Sequence, residues 1–230
     1  MNRKIGIIGS GVVGTAMGVI LNTKGCEITG VYDVRFESTH ELVERTGCTA
    51  CLTPGDVARS ADLLFITPSD SAIQTVVDQL ADNEAFHPGQ VVVHMSGAQS
   101  SAILNRAKEF GALVLSVHPL QSFASLEGAI ANLPGSVFSI QGDREAYDTA
   151  VCIVEILNGE YFYIDQSAKP LYHAGACVVS NYLVTLLDLG AKLLEASGIP
   201  ANMANQALMP LVHGTIRNVE NIGIPGALDR

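Results

Sequence analysis

The stretch that most constrains this chain is Lys4 to Gly14, Lys-Ile-Gly-Ile-Ile-Gly-Ser-Gly-Val-Val-Gly. An apolar β-type run (Ile5, Ile7, Ile8) feeds straight into Gly9-Ser10-Gly11-Val12-Val13-Gly14, and Thr15 to Thr23 then reads as a helix. That order allows one arrangement above others. Gly9 permits a tight turn, Gly11 lets the backbone approach a pyrophosphate, and Gly14 lets the helix pack close on the strand. The free N–H groups at the helix start would face the anion. A second strand, Glu27 to Tyr32, ends in Asp33, about twenty residues past the glycines, where an acid suits the ribose hydroxyls.

The rest of the chain repeats the same alternation. Helices are expected over 36–46, 54–59, 70–80, 101–110 and 144–157. Strands are expected over 49–52, 62–67, 90–94, 113–117, 136–141 and 161–164. Strands and helices taking turns at this spacing predict an α/β fold with a mainly parallel, doubly wound sheet. Its ligand belongs at the carboxyl ends of the strands. Those ends carry the glycines, Asp33, Thr67-Pro68-Ser69, Ser96-Gly97 and His118 to Gln121. Of the histidines there, His118 is the stronger site candidate because Pro119 fixes the backbone after it; His94 reads as structural.

After Ile164 the character changes. One helix is expected from Pro170 to Ala196 and another from Pro200 to about Gly223, making residues 1–165 a dinucleotide-binding domain and 166–230 a smaller helical one. The segment 174–187 is apolar nearly all round and is expected to be buried, against a second subunit if not within the chain. Within the first helix the 3.6-residue period puts His173, Cys177, Ser180 and Asn181 on one face, with Lys169 just before it.

A formal charge of −10 argues against nucleic acid and anionic membrane as partners. No apolar leader precedes Ile5, and the uncharged stretch 174–187 is too short to span a bilayer, so a cytoplasmic protein is expected. The five scattered cysteines, including the Cys48/Cys51 pair, read as structural thiols and not a metal site.

Taken together, the motifs Gly9–Gly14, Thr67-Pro-Ser-Asp70, His94-Met-Ser-Gly97, His118-Pro-Leu-Gln-Ser-Phe123, Lys169-Pro-Leu-Tyr-His173 and Ser180-Asn-Tyr-Leu183 resemble Rossmann-like oxidoreductases with a helical second domain of the DUF2520 group. These are relatives of pyrroline-5-carboxylate reductase and the β-hydroxyacid dehydrogenases. The resemblance implies NAD(P) binding, a cleft between domains and a homodimer. The β-hydroxyacid dehydrogenases place a catalytic Lys four residues before a helix Asn; counted back from Asn181 that position is Cys177, so their mechanism does not transfer. The relatives also continue past Pro225-Gly-Ala-Leu228 with further helix, which implies a short chain here.

The expected function is hydride transfer between a nicotinamide cofactor and a small carbonyl, imine or hydroxy-acid substrate. A non-catalytic dinucleotide sensor and a methyltransferase are the rivals. The candidate catalytic residues are His118, His173, Lys169 and Asn181, with Ser96, Gly97 and Gln121 facing substrate. Gly9, Ser10, Gly11, Val12, Val13, Gly14, Asp33, Arg35, Thr67, Pro68 and Ser69 are expected to hold the cofactor. NAD(H) is expected over NADP(H), because a 2′-phosphate beside Asp33 meets like charge, at about 1–4 kcal/mol for a 4 Å separation. Arg35 pulls the other way.

Overall fold

The computed structural model describes residues 3–228 and divides into two compact units, 1–173 and 174–230. In the first unit, strands and helices alternate as the apolar periodicity requires. The order is β1 (Lys4–Ile8), α1 (Val12–Thr23), β2 (Glu27–Tyr32), α2 (His40–Thr46), β3 (Thr49–Ala50), α3 (Pro54–Ser60), β4 (Leu63–Ile66) and α4 (Ile73–Asp82). There follow β5 (Val91–His94), α5 (Asn105–Lys108), β6 (Leu113–Pro119), α6 (Leu126–Asn132), β7 (Val137–Gly142), α7 (Tyr147–Ile156) and β8 (Glu160–Tyr163). Short 3-10 turns open α2, α4, α5 and α7 where single helices were expected (Phe36–Thr39, Asp70–Ala72, Ser101–Leu104, Arg144–Ala146). Helix α6 was not anticipated. Its signal was there: the Ser125 hydroxyl accepts the Gly128 amide at 3.1 Å, an ordinary N-cap.

The strands form one eight-stranded sheet in the order β3-β2-β1-β4-β5-β6-β7-β8, parallel except where β7 runs antiparallel to β6. This is the doubly wound arrangement. Each face carries its own core. On one face Ile7, Phe65, Val93, Leu115, Val117 and Phe138 pack under α1, α2, α6 and α7. On the other, Leu64, Ile66, Val92 and Val114 pack under α3, α4 and α5.

That second face changes character as it crosses the sheet. In register, His94 lies beside Ser116 and Ser116 beside Gln141; one step further on, His118 lies beside Ser139 and Ser139 beside Phe162. Strand positions two apart share a face, so these polar residues continue the rows begun by Val92 and Val114. His94, Ser116 and Ser139 are wholly buried. A sheet interior does not bury two rows of polar side chains for packing alone.

The helices after β8 depart from expectation in two ways. The single helix expected over 170–196 is broken at Ser180 into α8 (Lys169–Val179) and α9 (Asn181–Ala196); Ser180 sits at φ −115°, ψ −72° and bonds its hydroxyl to Asn181. His173 and Cys177 stay one turn apart on α8, while Asn181 begins α9 beyond the break. The second concerns burial. Within the second unit Val179 is 70% exposed, Tyr182 60% and Val184 66%, so 174–187 is not buried by its own chain. Helix α10 (Ala201–Leu228) starts after Pro200 as expected and is interrupted at Gly223, whose φ is +73°. By length and composition the helical stretch 166–196 would suffice to cross a bilayer, a reach that 174–187 alone does not have.

Candidate active site

The glycine turn is built as the sequence demands. Gly9 has φ +98°, and a Cβ there would lie 2.4 Å from the Pro68 nitrogen. A Cβ at Gly14 would lie 2.1 Å from the Gly9 carbonyl oxygen, so α1 packs on the turn only because both are glycine. Gly11 differs: no atom lies within 4 Å of where its Cβ would be. It faces a cleft of about 230 Å³ walled by Gly11, Val12, Val13, Pro68, Ser69 and Ser96. The start of α1 carries no side-chain cap and no acid in its first turn, which leaves its amides to an incoming anion. The open space, the uncapped amides and the cleft together fit the pyrophosphate of a dinucleotide.

Two of the expected cofactor ligands also brace this turn. The Thr67 hydroxyl donates to the Gly9 carbonyl at 2.8 Å. The Asp33 carboxylate accepts the Ser10 amide at 2.9 Å and the Ser10 hydroxyl at 3.3 Å, and its second oxygen accepts the Arg35 amide at 2.9 Å. Both Asp33 oxygens are thus engaged with the protein, while the Arg35 side chain stands exposed beside them.

Past Ser96 the cleft meets a second cluster, built by β5, β6 and the first turn of α8. His94 ends β5; its Nδ1 accepts the Ser96 amide at 3.1 Å. The Ser96 hydroxyl in turn accepts the Ala98 and Gln99 amides at 3.2 and 3.1 Å, folding the chain back at Gly97. His94 therefore shapes the loop, and burial, the largest influence on it, lowers its pKa to about 4.

At Gly97 two imidazoles converge. A Cβ there would lie 2.6 Å from His118 Nε2 and 3.1 Å from His173 Nδ1, so only glycine leaves room for both rings. The other ring nitrogen of His118, Nδ1, is 2.7 Å from the Tyr172 hydroxyl, and the two rings meet edge to face at 5.6 Å. Burial, then the charge of Lys169, lowers the His118 pKa to about 3. At neutral pH His118 is an uncharged imidazole.

Lys169 is the unusual member. Its side chain is 1% exposed, its ammonium donates to Ser116 Oγ at 2.9 Å and lies 5.4 Å from the centre of the Tyr172 ring. Burial lowers its pKa to about 8, against an opposing pull from Asp70 on the cleft wall. Among the described residues no Asp or Glu is buried, so this ammonium has no enclosed counter-ion. Lys169, Tyr172 and His173 stand at i, i+3 and i+4 of one helix and so share a face.

The structure thus gathers His118, His173, Lys169 and Gly97, with Ser96 linking them to the cleft. Gln121 is exposed and its side-chain oxygen accepts the Ser122 amide, and Asn181 belongs to the second unit. Tyr172 and Ser116 were not anticipated. Tyr172 was within reach of the helical period once Lys169 and His173 were singled out, whereas Ser116 needs the register between β5 and β6.

Comparison with known proteins agrees with this fold. Residues 1–119 match the family described as Rossmann-like domain, and 136–229 match the domain of unknown function DUF2520. The chain belongs to the Rossmann-like domain family, with a DUF2520 region following. No curated protein matches the sequence. Among solved structures, protein TM1727 from Thermotoga maritima is 26% identical with a TM-score of 0.74, covering 95% of this chain and 79% of its own. The Streptomyces aurantiacus imine reductase is 22% identical, with a TM-score of 0.74 and coverage of 94% and 74%. A reductive aminase from Aspergillus terreus, solved with NADPH and ethyl-5-oxohexanoate, is 17% identical, with a TM-score of 0.73 and coverage of 96% and 75%.

Proposed function

We propose that this protein is an NADP(H)-dependent reductase of a small substrate bearing a C=O or C=N group. The observation that carries the reading is the continuity of two half-sites. An anion-ready glycine turn opens onto a cleft that reaches Ser96; the next residue, Gly97, abuts His118 and His173, and the buried Lys169 stands one helical turn before His173. Gly9, Gly11, Gly14 and the α1 amides would hold the pyrophosphate, and the bound cofactor would supply the hydride. His118 would orient the reducible group. Lys169 is the acid of choice, since an ammonium with a pKa near 8 is charged at neutral pH and releases a proton readily, whereas His118 is not charged there.

The phosphorylated cofactor replaces the NAD(H) preference expected from Asp33. Two observations support it: the Asp33 oxygens are occupied by Ser10 and the Arg35 amide, and the exposed Arg35 guanidinium is a ready fork for a 2′-phosphate. The A. terreus aminase, solved with NADPH, points the same way. The exposed apolar surface of α9 and α10 supports a homodimer, to be checked by sedimentation velocity.

The test is titration of the protein with NADPH, followed by a panel of ketones, aldehydes and cyclic imines monitored by loss of NADPH absorbance. Binding and turnover are expected. Failure to bind any dinucleotide would remove the reading.

A further inference from the structure

We propose, on the strength of the reductase reading, that Tyr172 fixes His118 as a neutral Nε2–H donor, and that the site therefore takes a carbonyl oxygen in preference to a cationic iminium. The argument starts from Tyr172. A neutral imidazole has one N–H and one bare nitrogen, and the hydrogen bond at one nitrogen decides which is which. His118 Nδ1 and the Tyr172 hydroxyl are 2.7 Å apart. Burial pushes the Tyr172 phenol up, the neighbouring Ser139 hydroxyl pulling the other way, so the phenol keeps its proton at pH 7, and the proposal assigns it as the donor to Nδ1. Nε2 then carries the hydrogen, and Nε2 is the nitrogen beside Gly97.

The sign of the chamber follows. A lone pair is what an Nε2–H can receive; an iminium N–H has none to offer. The charges agree. The groups facing this point are His94, His118 and His173, the Lys169 ammonium and the Tyr172 phenol, while the nearest acid acting on Lys169 is Asp70, exposed on the cleft wall. A substrate arriving as a cation would meet a buried cation with no enclosed carboxylate to offset it. A carbonyl oxygen, which gains negative charge as the carbon is reduced, would meet a donor and an ammonium already in place.

Two measurements test this on the intact protein. In protein labelled with nitrogen-15 at histidine, the His118 ring should show a protonated Nε2 and a bare Nδ1 at pH 7. Tyr172→Phe should mix the two tautomers without unfolding the chain. A protonated Nδ1, or an imidazolium, in the parent would overturn the proposal. Second, cyclohexanone and its six-membered cyclic imine, tetrahydropyridine, should be compared with NADPH as reductant. The ketone should be favoured at least tenfold in kcat/KM, and Tyr172→Phe should lower its kcat about tenfold with the NADPH Kd unchanged. Preference for the imine overturns the proposal and leaves the reductase reading standing. If neither is reduced, binding to the NADP⁺-loaded protein decides: cyclohexanol should bind and piperidinium should not, and the reverse order overturns it.

Discussion

The cofactor turn and the chamber beside it are made by opposite means. Around Gly9–Gly14 the protein removes side chains and presents backbone amides and empty space; around Gly97 it gathers a buried ammonium, one buried imidazole and two half-buried ones with no enclosed acid. The first half costs little, because glycine turns and uncapped helix starts leave their amides in a cleft that water can enter. The second is held against the preferences of a folded interior, where a charge without a partner is expensive. A binding surface can be assembled from neutral parts, whereas groups poised to exchange protons must be kept where they are uncomfortable.

The largest effect expected from this contrast is on the binding side. Gly11→Val places a branched side chain in the space left for the pyrophosphate, and should weaken NADPH binding on the order of a hundredfold, about 3 kcal/mol. Because nothing lies within 4 Å of that Cβ, the melting temperature should stay put. Gly14→Ala should do the converse and destabilise the fold, its Cβ lying 2.1 Å from a carbonyl oxygen. Calorimetric titration and thermal melts of the two variants separate these outcomes. A Gly11→Val protein that binds normally would move the cofactor elsewhere.

The chamber should show the reverse signature, with stability gained as function is lost. Lys169 drops from 10.5 to about 8 on folding. The unfolded chain therefore holds its proton more tightly, and the parent should gain stability as pH rises through that window. At neutral pH the burial costs roughly 3 kcal/mol at about 1.4 kcal/mol per pKa unit. Lys169→Met should recover part of this, flatten the slope between pH 8 and 10.5, and abolish reduction. Denaturant melts across that range give the measurement. A Lys169→Met protein less stable than the parent at pH 7 would mean the Ser116 bond outweighs the burial cost.

The histidines give a comparable effect at the acid end. His118 and His94 fall from 6.5 to about 3 and about 4. Both are depressed, so their contribution is complete above pH 6.5 and drains away as pH falls toward those values, because the unfolded chain protonates first. Acid melts of the parent should lose a few kcal/mol between pH 6.5 and 4. His94→Gln should lose less over that interval. An identical acid limb in the variant would place the sensitivity in other groups.

How much of this could be read in the sequence follows from the same contrast. The cofactor half is local: Ile5 to Asp33 is one strand, turn, helix and strand, and the spacing alone predicts it. The chamber is not local. His118 and Lys169 stood out as residues, but what makes them a site is that β5, β6 and β7 come into register, so that His94, Ser116 and Gln141 share a row and Ser116 meets Lys169. No period along the chain encodes that. The break at Ser180 was hidden for a related reason, since Ser and Asn do not forbid a helix and the sequence 170–196 is helical by propensity throughout. The sequence of 174–187 says that something should cover its apolar surface but not what, and its own chain does not.

The smallest effect sits at the junction of the two halves and concerns the phosphate. Asp33 was weighted as the ribose ligand because it ends β2, and its charge argues against a 2′-phosphate wherever its oxygens point. In the structure those oxygens accept three protein donors, two from Ser10 and one from the Arg35 amide, which disperses the charge and fixes the carboxylate as part of the turn. The Arg35 side chain has no such duty and projects into solvent. A solvent-exposed guanidinium meeting a phosphate is worth less than an enclosed one, and about 1.4 kcal/mol, a tenfold change in affinity, is a fair expectation. Arg35→Ala should therefore weaken NADPH about tenfold and leave NADH nearly unchanged, more so at low salt than at high. Asp33→Ser should strengthen NADPH only slightly, since it relieves some repulsion while loosening the bonds to Ser10. Paired dissociation constants for NADH and NADPH at two salt concentrations decide it. If the parent prefers NADH, and Asp33→Ser abolishes that preference, the carboxylate reaches the ribose despite its partners and the turn tolerates the change.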